Sequence, residues 1–142
     1  MLKGIDPRLH AELLYVLARM GHGDRLAIVD RNFPAESLGR EVVRLDGLDL
    51  CTALEVVLSV FPIDHFVPEP VGVMLDVDLP GIRPEVQVEA ITLMEKAEGR
   101  ALGVEGIERF DFYERTKGCF AVLTTTEDRP YGCVMLTKGV VF

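Results

Sequence analysis

Residues 21–30 read GHGDRLAIVD, and this stretch decides the fold class. Its apolar run, Leu26 to Val29, is short, continuous and bounded by charged residues, which is typical of a strand buried on both faces of a parallel sheet. The amphipathic pattern before it predicts a helix that Gly21 ends in a left-handed turn. A helix that leads directly into a doubly buried strand indicates an α/β protein.

The alternation of helix and strand extends in both directions from this stretch. Asp6 as N-cap and Pro7 at the first helical position predict the start of the first helix. Downstream patterns predict, in order, a strand at 41–45, a helix from about residue 49, a strand at 71–77, a helix at 84–99, a short strand near 107, one or two helical turns at 111–117, and strands at 120–125 and 133–137. We expect residues 103–106 to be irregular, and the helix at 84–99 to be more exposed because it is more polar.

These elements predict one domain over residues 1–142. Helices and strands alternate through the first two thirds of the chain, and right-handed crossovers between parallel strands then place helices on both faces of the sheet. The turn at 128–130 is short enough to join the last two strands as an antiparallel hairpin. The predicted fold is a three-layer α/β/α sandwich with a mostly parallel sheet and a C-terminal hairpin.

The composition limits the partners of the chain. Its 23 acidic and 15 basic residues give a net charge of -8, which disfavours nucleic acid, anionic membrane surfaces and strongly anionic substrates. No apolar run approaches the roughly 20 residues of a membrane span and no signal-peptide pattern opens the chain, so we expect a cytoplasmic protein. Cys51, Cys119 and Cys133 are odd in number and lie in apolar sequence, which predicts buried reduced thiols. A mean hydropathy of +0.23 favours burial of some apolar surface between subunits.

His22 and Asp30 carry the most promising chemistry of the chain. His22 lies on a constrained connector, where it is either a solvated residue at a helix end or a group that exchanges a proton near neutral pH. Asp30 follows the first strand at its carboxyl end, where ligands bind to sheets of this kind. His22 precedes the same strand, so the two side chains cooperate only if the strand is shorter than predicted or a second subunit contributes.

Other kinds of site have weaker support. His22, Asp24, Asp30 and His65 have a nominal metal-ligand composition, but their spacing matches neither a zinc helix motif nor a calcium loop. The chain has no Gly-x-Ser-x-Gly elbow, and its Gly-x-Gly follows a predicted helix, whereas a dinucleotide fingerprint follows a strand. We therefore expect no metal and no cofactor.

Residues 109–115, RFDFYER, are the densest run of aromatic and charged side chains. The run is either an amphipathic turn with its phenylalanines in the core or a carbohydrate contact, in which Arg and carboxylates bind hydroxyls and an aromatic face packs on sugar C–H groups. The same two interpretations apply to Tyr131, which follows Pro130.

A set of segments occurs in one order along the chain: GHGD at 21–24, Asp30, FPA at 33–35 with Ser37, RLDG at 44–47, RF at 109–110, FYER at 112–115, YG at 131–132 and KGV at 138–140. Together they resemble the L-fucose mutarotase and D-ribose pyranase family over nearly the whole chain. The resemblance is closer to the fucose branch, because ribose pyranases typically carry His-Thr-Asp at the first motif and lack Phe-Tyr-Glu-Arg.

The resemblance implies roles for individual residues. The proton-donating histidine of the family corresponds to His22, and either Tyr131 or Tyr113 is its expected complement in proton transfer. The positions expected to contact substrate are Asp30, Asp64, Met74, Arg109, Gly132 and Cys133. The chain departs from the family at Cys133, where an Asn is usual, and at Asn32 and Glu36, which replace histidines common in the fucose branch. These departures bear on selectivity for hydroxyls or anomers.

The family's activity is the interconversion of the α and β anomers of a free monosaccharide, here L-fucose or a related aldose, without a cofactor. Family members form rings or decamers with active sites at subunit interfaces, which would resolve the separation of His22 from Asp30. A non-catalytic sugar-binding or regulatory module of the same fold is the alternative. A metal-dependent hydrolase is a third hypothesis, which predicts bound zinc or manganese.

Overall fold

The computed structural model describes residues 1–142, which form six strands and five helices. The strands are β1 (Arg25–Val29), β2 (Val42–Leu45), β3 (Val71–Met74), β4 (Val104–Ile107), β5 (Ala121–Thr125) and β6 (Val134–Thr137). The helices are α1 (Ala11–Arg19), α2 (Ala35–Leu38), α3 (Leu50–Leu58), α4 (Glu85–Glu98) and α5 (Arg109–Thr116). None of the helices combines the length and the apolar composition that a bilayer crossing requires.

All six strands form one sheet in the order β2-β5-β1-β6-β3-β4. β1 and β2 pair parallel with β5, and β3 pairs parallel with β4, whereas β6 runs antiparallel to both of its neighbours, β1 and β3. The predicted α/β class with a mostly parallel sheet and an antiparallel C-terminal strand is confirmed. The two final strands do run antiparallel, but β1 lies between them, so they do not pair directly as a simple hairpin would. The connection at 126–133 is long enough to pass over one strand, a distance of about 10 Å.

Side chains on opposite faces of β1 enter two separate cores. Leu26 and Ile28 belong to a large cluster packed with α1, α3 and α4, whereas Ala27 and Val29 belong to a smaller cluster that includes Phe112 of α5. All four β1 side chains are fully buried. The strand therefore separates two helical layers, which confirms the predicted three-layer arrangement and explains why its sequence is continuously apolar.

The start and end of α1 differ from the prediction. The helix begins at Ala11, and its N-cap is His10, whose Nδ1 accepts a hydrogen bond of 3.2 Å from the amide of Leu13. The Asp6 carboxylate instead binds the amide and guanidinium of Arg8, which closes a separate turn ahead of the helix. Gly21 is not left-handed: the helix leaves through an extended Met20, and the positive φ of +86° occurs at Gly23.

Three other elements differ from the sequence prediction. α2 forms a single helical turn that the sequence did not predict. β4 includes Ile107, where a short strand was expected, but also residues 104–106, which were expected to be irregular. β3 stops at Met74 because the Asp76 carboxylate accepts the amides of Asp78 and Leu79 and turns the chain. α4 buries one face, through Val86, Gln87, Ala90, Ile91 and Met94, and exposes the other, in line with its more polar sequence.

A buried carboxylate ties the connection at 126–133 to α3. Glu127 is 2% exposed, and its oxygens accept hydrogen bonds from the first amide of α3, Leu50, and from the backbone and side chain of Arg129. Burial raises the pKa of Glu127, but the hydrogen bonds from Arg129 and Leu50 outweigh it and hold the pKa below its usual value. The ionised carboxylate therefore stabilises the folded protein.

We predict that Glu127→Gln lowers the free energy of unfolding by about 2 kcal/mol at pH 7, because a buried charged acceptor with three partners loses part of its hydrogen bonding. The folded-state pKa is depressed, so this contribution is present above the ordinary Glu pKa and is lost as the pH falls through the folded-state value. Chemical denaturation at pH 7 and pH 3 should show the gap to wild type narrowing in acid. Glu114→Gln, which breaks an exposed ion pair with Lys117, should change stability little at either pH; a gap at Glu127 that persists unchanged at pH 3 would contradict the assignment.

Candidate active site

A small cavity of about 230 Å³ opens at the carboxyl edge of the sheet. The connections after β1, β3 and β4 meet there with the segment that enters β6. The cavity is lined by Asp30, Asn32, Phe33, Met74, Arg109, Tyr113, Pro130, Tyr131 and Cys133. Its volume lies below the range of about 300–1,000 Å³ that is typical of sites for drug-sized ligands, which suits a ligand of monosaccharide size.

Arg109 and Tyr113 form one wall of this cavity from the first turns of α5. The Nε of Arg109 donates a hydrogen bond of 3.0 Å to the phenol oxygen of Tyr113, one helical turn later. This bond raises the pKa of Arg109 and leaves the terminal guanidinium nitrogens and the Tyr113 hydroxyl proton available to a ligand. The carboxylate of Glu108 caps the helix through the amides of Phe110 and Asp111, which explains why α5 starts two residues before the prediction.

Tyr131 forms the opposite wall in a disfavoured backbone conformation. It is the one non-glycine residue with a positive φ, +62°, which costs about 1–2 kcal/mol for an ordinary side chain. Its hydroxyl oxygen accepts a 3.2 Å hydrogen bond from the amide of Val77, so the hydroxyl proton can point to a ligand. Backbone strain of this kind recurs at functional sites.

Gly132, the neighbour of Tyr131, allows the close packing of this turn. A Cβ at this position would lie 2.8 Å from the Cγ of Glu127 and 3.3 Å from the carbonyl oxygen of Arg129. Only a hydrogen fits there, so the predicted role of Gly132 as a substrate contact stays a prediction, whereas its packing role is evident.

Asp30 and Cys133 form a buried pair at the floor of the cavity. The Sγ of Cys133 lies 3.4 Å from Oδ2 of Asp30, and the other carboxylate oxygen accepts the amide of Asn32 at 3.0 Å. Burial, reinforced by the charge of Asp30, raises the pKa of the Cys133 thiol well above its usual value. The thiol is thus protonated, and it is a hydrogen-bond donor to Asp30 where a family member with Asn would present an amide.

Apolar groups complete the cavity. The ring of Phe33 packs edge-on against Phe112 and Tyr113, with centroid separations of 5.9 and 5.3 Å. Met74 is 5% exposed and closes the cavity at the end of β3. An aromatic and a thioether beside several hydroxyl-binding groups suit a sugar, which has both C–H and O–H surfaces.

His22 and Asp64 form a second cluster at the opposite edge of the sheet. Nε2 of His22 lies 2.9 Å from Oδ1 of Asp64, which is 1% exposed, and Oδ2 of Asp64 accepts the amide of Val67. Burial raises the pKa of Asp64, but the hydrogen bonds from His22 and from the backbone of Phe66 and Val67 lower it below its usual value. An ionised carboxylate only accepts, so Nε2 carries the proton and Nδ1 is the nitrogen free for a reaction.

Backbone hydrogen bonds hold this second cluster rigidly between the start of β1 and the end of β6. The amide of Gly23 donates to Lys138, and the amide of Asp64 donates to Thr137. A Cβ at Gly139 would come within 2.9 Å of the Cα of Asp64. The glycine of the closing Lys-Gly-Val segment therefore allows the chain to pack closely against Asp64. The imidazole itself is 47% exposed.

The two clusters lie too far apart to act together in one chain. The five residues of β1 lie between Asp24 and Asp30, and the six Cα-to-Cα steps of extended backbone correspond to about 20 Å. The structure thus brings together Asp30, Met74, Arg109, Tyr113 and the 131–133 segment, and separates them from His22 and Asp64. The predicted contact of Asp64 with substrate stays a prediction, and the structure gives Asp64 a hydrogen bond to His22.

Exposed apolar side chains flank both edges. Phe66 is 60% exposed and packs against the imidazole of His22, with ring centroids 5.2 Å apart. At the carboxyl edge, Val77, Leu79, Ile82 and Phe110 are each more than half exposed. Apolar patches on two different surfaces are what a head-to-tail contact between identical subunits requires.

A second, larger cavity of about 860 Å³ lies away from this site. It is an open groove between α3 and α4, lined by Leu58, Val88 and Leu93 among glutamates and Lys96. No three His, Cys, Asp or Glu side chains gather as a metal site would need, here or elsewhere in the chain.

Sequence reasoning missed several residues of the site. Phe33 and Pro130 line the cavity, and Gln87 of α4 reaches its wall from behind. The sequence does contain an indication for Gln87, because this polar residue lies on the same helical face as the apolar residues of α4 and is buried with them. Pro130 was interpreted only as a turn residue.

Comparison with known proteins agrees with the fold. The model of the RbsD / FucU transport protein family matches residues 3–141. The L-fucose mutarotase of Actinobacillus pleuropneumoniae serotype 5b is 41% identical over 140 residues, which cover 99% of this chain and 97% of that protein. Among solved structures, FucU from Bifidobacterium longum is 40% identical with a TM-score of 0.91, covering 99% of this chain and 100% of that one.

A third relative was solved with its sugar. The fucose mutarotase of Streptococcus pneumoniae, in complex with L-fucose, is 31% identical with a TM-score of 0.91 and covers 99% of this chain and 100% of that one. Both the family match and these identities extend over almost the full length of the chain. The chain therefore belongs to the RbsD / FucU family.

Proposed function

We propose that this protein is a mutarotase that interconverts the α and β anomers of L-fucose or a closely related free aldose. The observation that carries the proposal is the monosaccharide-sized cavity in which Asp30, Arg109, Tyr113 and Tyr131 present hydroxyl-binding and proton-carrying groups around one point. Full-length similarity to proteins named L-fucose mutarotase supports the same activity.

The reaction needs only proton transfer. A proton is delivered to the ring oxygen while the anomeric hydroxyl loses one, the C1–O5 bond breaks to give the open-chain aldehyde, the aldehyde rotates, and the ring closes on the other face with both protons returned. Acid–base assistance of about 10²- to 10⁴-fold is what positioned side chains typically supply. His22 is the proposed donor to the ring oxygen: in its imidazolium form Nε2–H stays bonded to Asp64, and the second proton, on Nδ1, is the one transferred. The phenol of Tyr131 or Tyr113 is the proposed partner at the anomeric hydroxyl.

The proposal requires a second subunit. His22 and Asp30 lie at opposite edges of one sheet, so a complete site forms only where the His22 edge of one copy meets the carboxyl edge of the next. Such a contact uses two different surfaces and closes into a ring. We therefore propose a homo-oligomer, a ring or a decamer built from rings, with active sites at the interfaces. The exposed apolar groups at both edges, among them Phe66 and Phe110, support this arrangement.

A cytoplasmic location is also part of the proposal. Its support is that Cys51, Cys119 and Cys133 are all unpaired, as in proteins of reducing compartments. Cys119 and Cys133 are buried as predicted, and burial raises the pKa of Cys119 to about 11, whereas Cys51 is only half-buried, contrary to the prediction.

A direct test is NMR saturation transfer between the anomers of L-fucose, ribose, galactose and rhamnose. We expect the protein to accelerate exchange most for L-fucose or its closest relative, because the cavity has the size of one monosaccharide and similar proteins are named L-fucose mutarotase. A sugar that binds by calorimetry without faster exchange would instead identify a binding module. Exchange equal to that in buffer for all four sugars would refute the proposed activity.

The role of His22 is tested by His22→Gln. We expect a loss of about 10²-fold or more in kcat, because the variant keeps a polar side chain but cannot exchange a proton. Asp64→Asn should lower kcat less, since the amide no longer fixes the imidazole with Nε2 protonated. His10→Asn is the matched control: Asn retains the N-cap of α1, so activity should equal that of wild type. Normal activity of His22→Gln would eliminate the imidazole as the proton donor.

A further inference from the structure

Gln87 is a buried polar residue with no role in the proposed reaction. It lies in the first turn of α4, is 1% exposed, and sits behind the wall of the cavity. Its Nε2 donates two hydrogen bonds, one of 2.6 Å to the carbonyl of Met74 and one of 2.8 Å to the carbonyl of Tyr131. Both partners are acceptors only, so the orientation of the amide is unambiguous.

These two bonds join separate parts of the cavity. Met74 ends β3, and Tyr131 lies in the connection between β5 and β6, so one carboxamide fixes the distance between the two segments. The amide of Met74 also donates to the carbonyl of Cys133, whose thiol contacts Asp30. The position of Met74 is thus linked to that of Asp30 as well as to that of Tyr131.

The backbone of Tyr131 needs contacts from other parts of the chain to hold its conformation. Its left-handed backbone is disfavoured and persists only where the surroundings determine it. Its carbonyl is held by Gln87, its hydroxyl by the amide of Val77, and the following Gly132 packs on Glu127. The Val77 hydrogen bond is exposed to solvent, whereas the one from Gln87 comes from a side chain that is only 1% exposed, and a buried amide cannot exchange its partners for solvent.

We infer that Gln87 is a positioning residue, which sets the phenol of Tyr131 relative to Asp30 and Met74 and acts on catalysis only through Tyr131. This inference rests on the proposed mutarotase function. It predicts two effects that general destabilisation does not produce: a loss in kcat that vanishes when the Tyr131 hydroxyl is absent, and a displaced phenol.

The experiment compares Gln87→Met with Met94→Ala. The first removes both donors at nearly constant side-chain length, and the second creates a cavity under the same helix far from the site. Both are assayed below their melting transitions. We expect Gln87→Met to lower kcat about 10-fold with a smaller change in KM, because misplacement of a reacting group costs rate. Met94→Ala should lose stability and keep its kcat.

The double variant Gln87→Met/Tyr131→Phe tests whether Gln87 affects kcat through the Tyr131 hydroxyl. If Gln87 acts through Tyr131, Gln87→Met adds less than about twofold to the loss of Tyr131→Phe, since coupled residues are not additive. Losses that multiply, or a Gln87→Met kcat equal to that of Met94→Ala, would overturn the inference.

Crystal structures of the variants separate this outcome from failure of the proposed function. Wild-type protein without mutarotase activity would refute the function, and the position of Tyr131 would then decide the inference alone. Loss of the Tyr131–Val77 hydrogen bond in Gln87→Met, with its retention in Met94→Ala, supports the role of Gln87. An unmoved phenol in Gln87→Met refutes it.

Discussion

β1 is a rigid strand, buried on both faces and hydrogen-bonded on both edges, and it holds its two ends at a fixed separation. Its preceding connector carries His22, and its following turn carries Asp30. Because β5 and β6 pair with it on either side, the strand cannot shorten or bend without breaking both ladders. The distance between the imidazole and the carboxylate is therefore a property of the core, and the composite site that we propose follows from it.

β6 gives each edge its remaining parts. As the one antiparallel strand, it begins at the carboxyl edge, where Tyr131 and Cys133 lead into it, and it ends at the other edge, where Lys138 and Gly139 pack on the connector and on Asp64. A parallel strand in this position would deliver its first residues to the wrong edge. Because β6 runs antiparallel, it brings Tyr131 to the cluster at the carboxyl edge, and Lys138 and Gly139 to the cluster that contains His22.

Some strands and helix ends of this chain can be predicted from the sequence, and others cannot. The doubly apolar β1, the Asp49 cap of α3 and the Gly99 stop of α4 were predictable because each depends on local chemistry. The N-cap at His10 was not, because Asp6 found a competing partner in Arg8 only two residues away. The insertion of β1 between β5 and β6 depends on tertiary pairing, which periodicity does not encode.

The candidate site likewise has a part that the sequence predicts and a part that it does not. Sequence resemblance predicted roles for His22, Asp30, Arg109 and Tyr131, and the positions of His22 and Asp30 at the two ends of β1 already indicated that these two lie apart. The contacts that orient them were not predicted: Asp64 was expected to contact substrate but binds the imidazole, Cys133 lies against the Asp30 carboxylate, and Gln87 holds the backbone of Tyr131. Each of these contacts joins residues at least 42 positions apart in sequence, and such pairs are set by the fold.

Subunit mixing tests the composite site most directly. His22→Gln and Asp30→Asn are each expected to be inactive, yet each carries the intact edge that the other lacks. Co-assembled in equal amounts, they should regain about a quarter of the wild-type activity, because one interface in four then joins an intact His22 edge to an intact Asp30 edge. Activity of the mixture that stays at the average of the two variants would contradict the account.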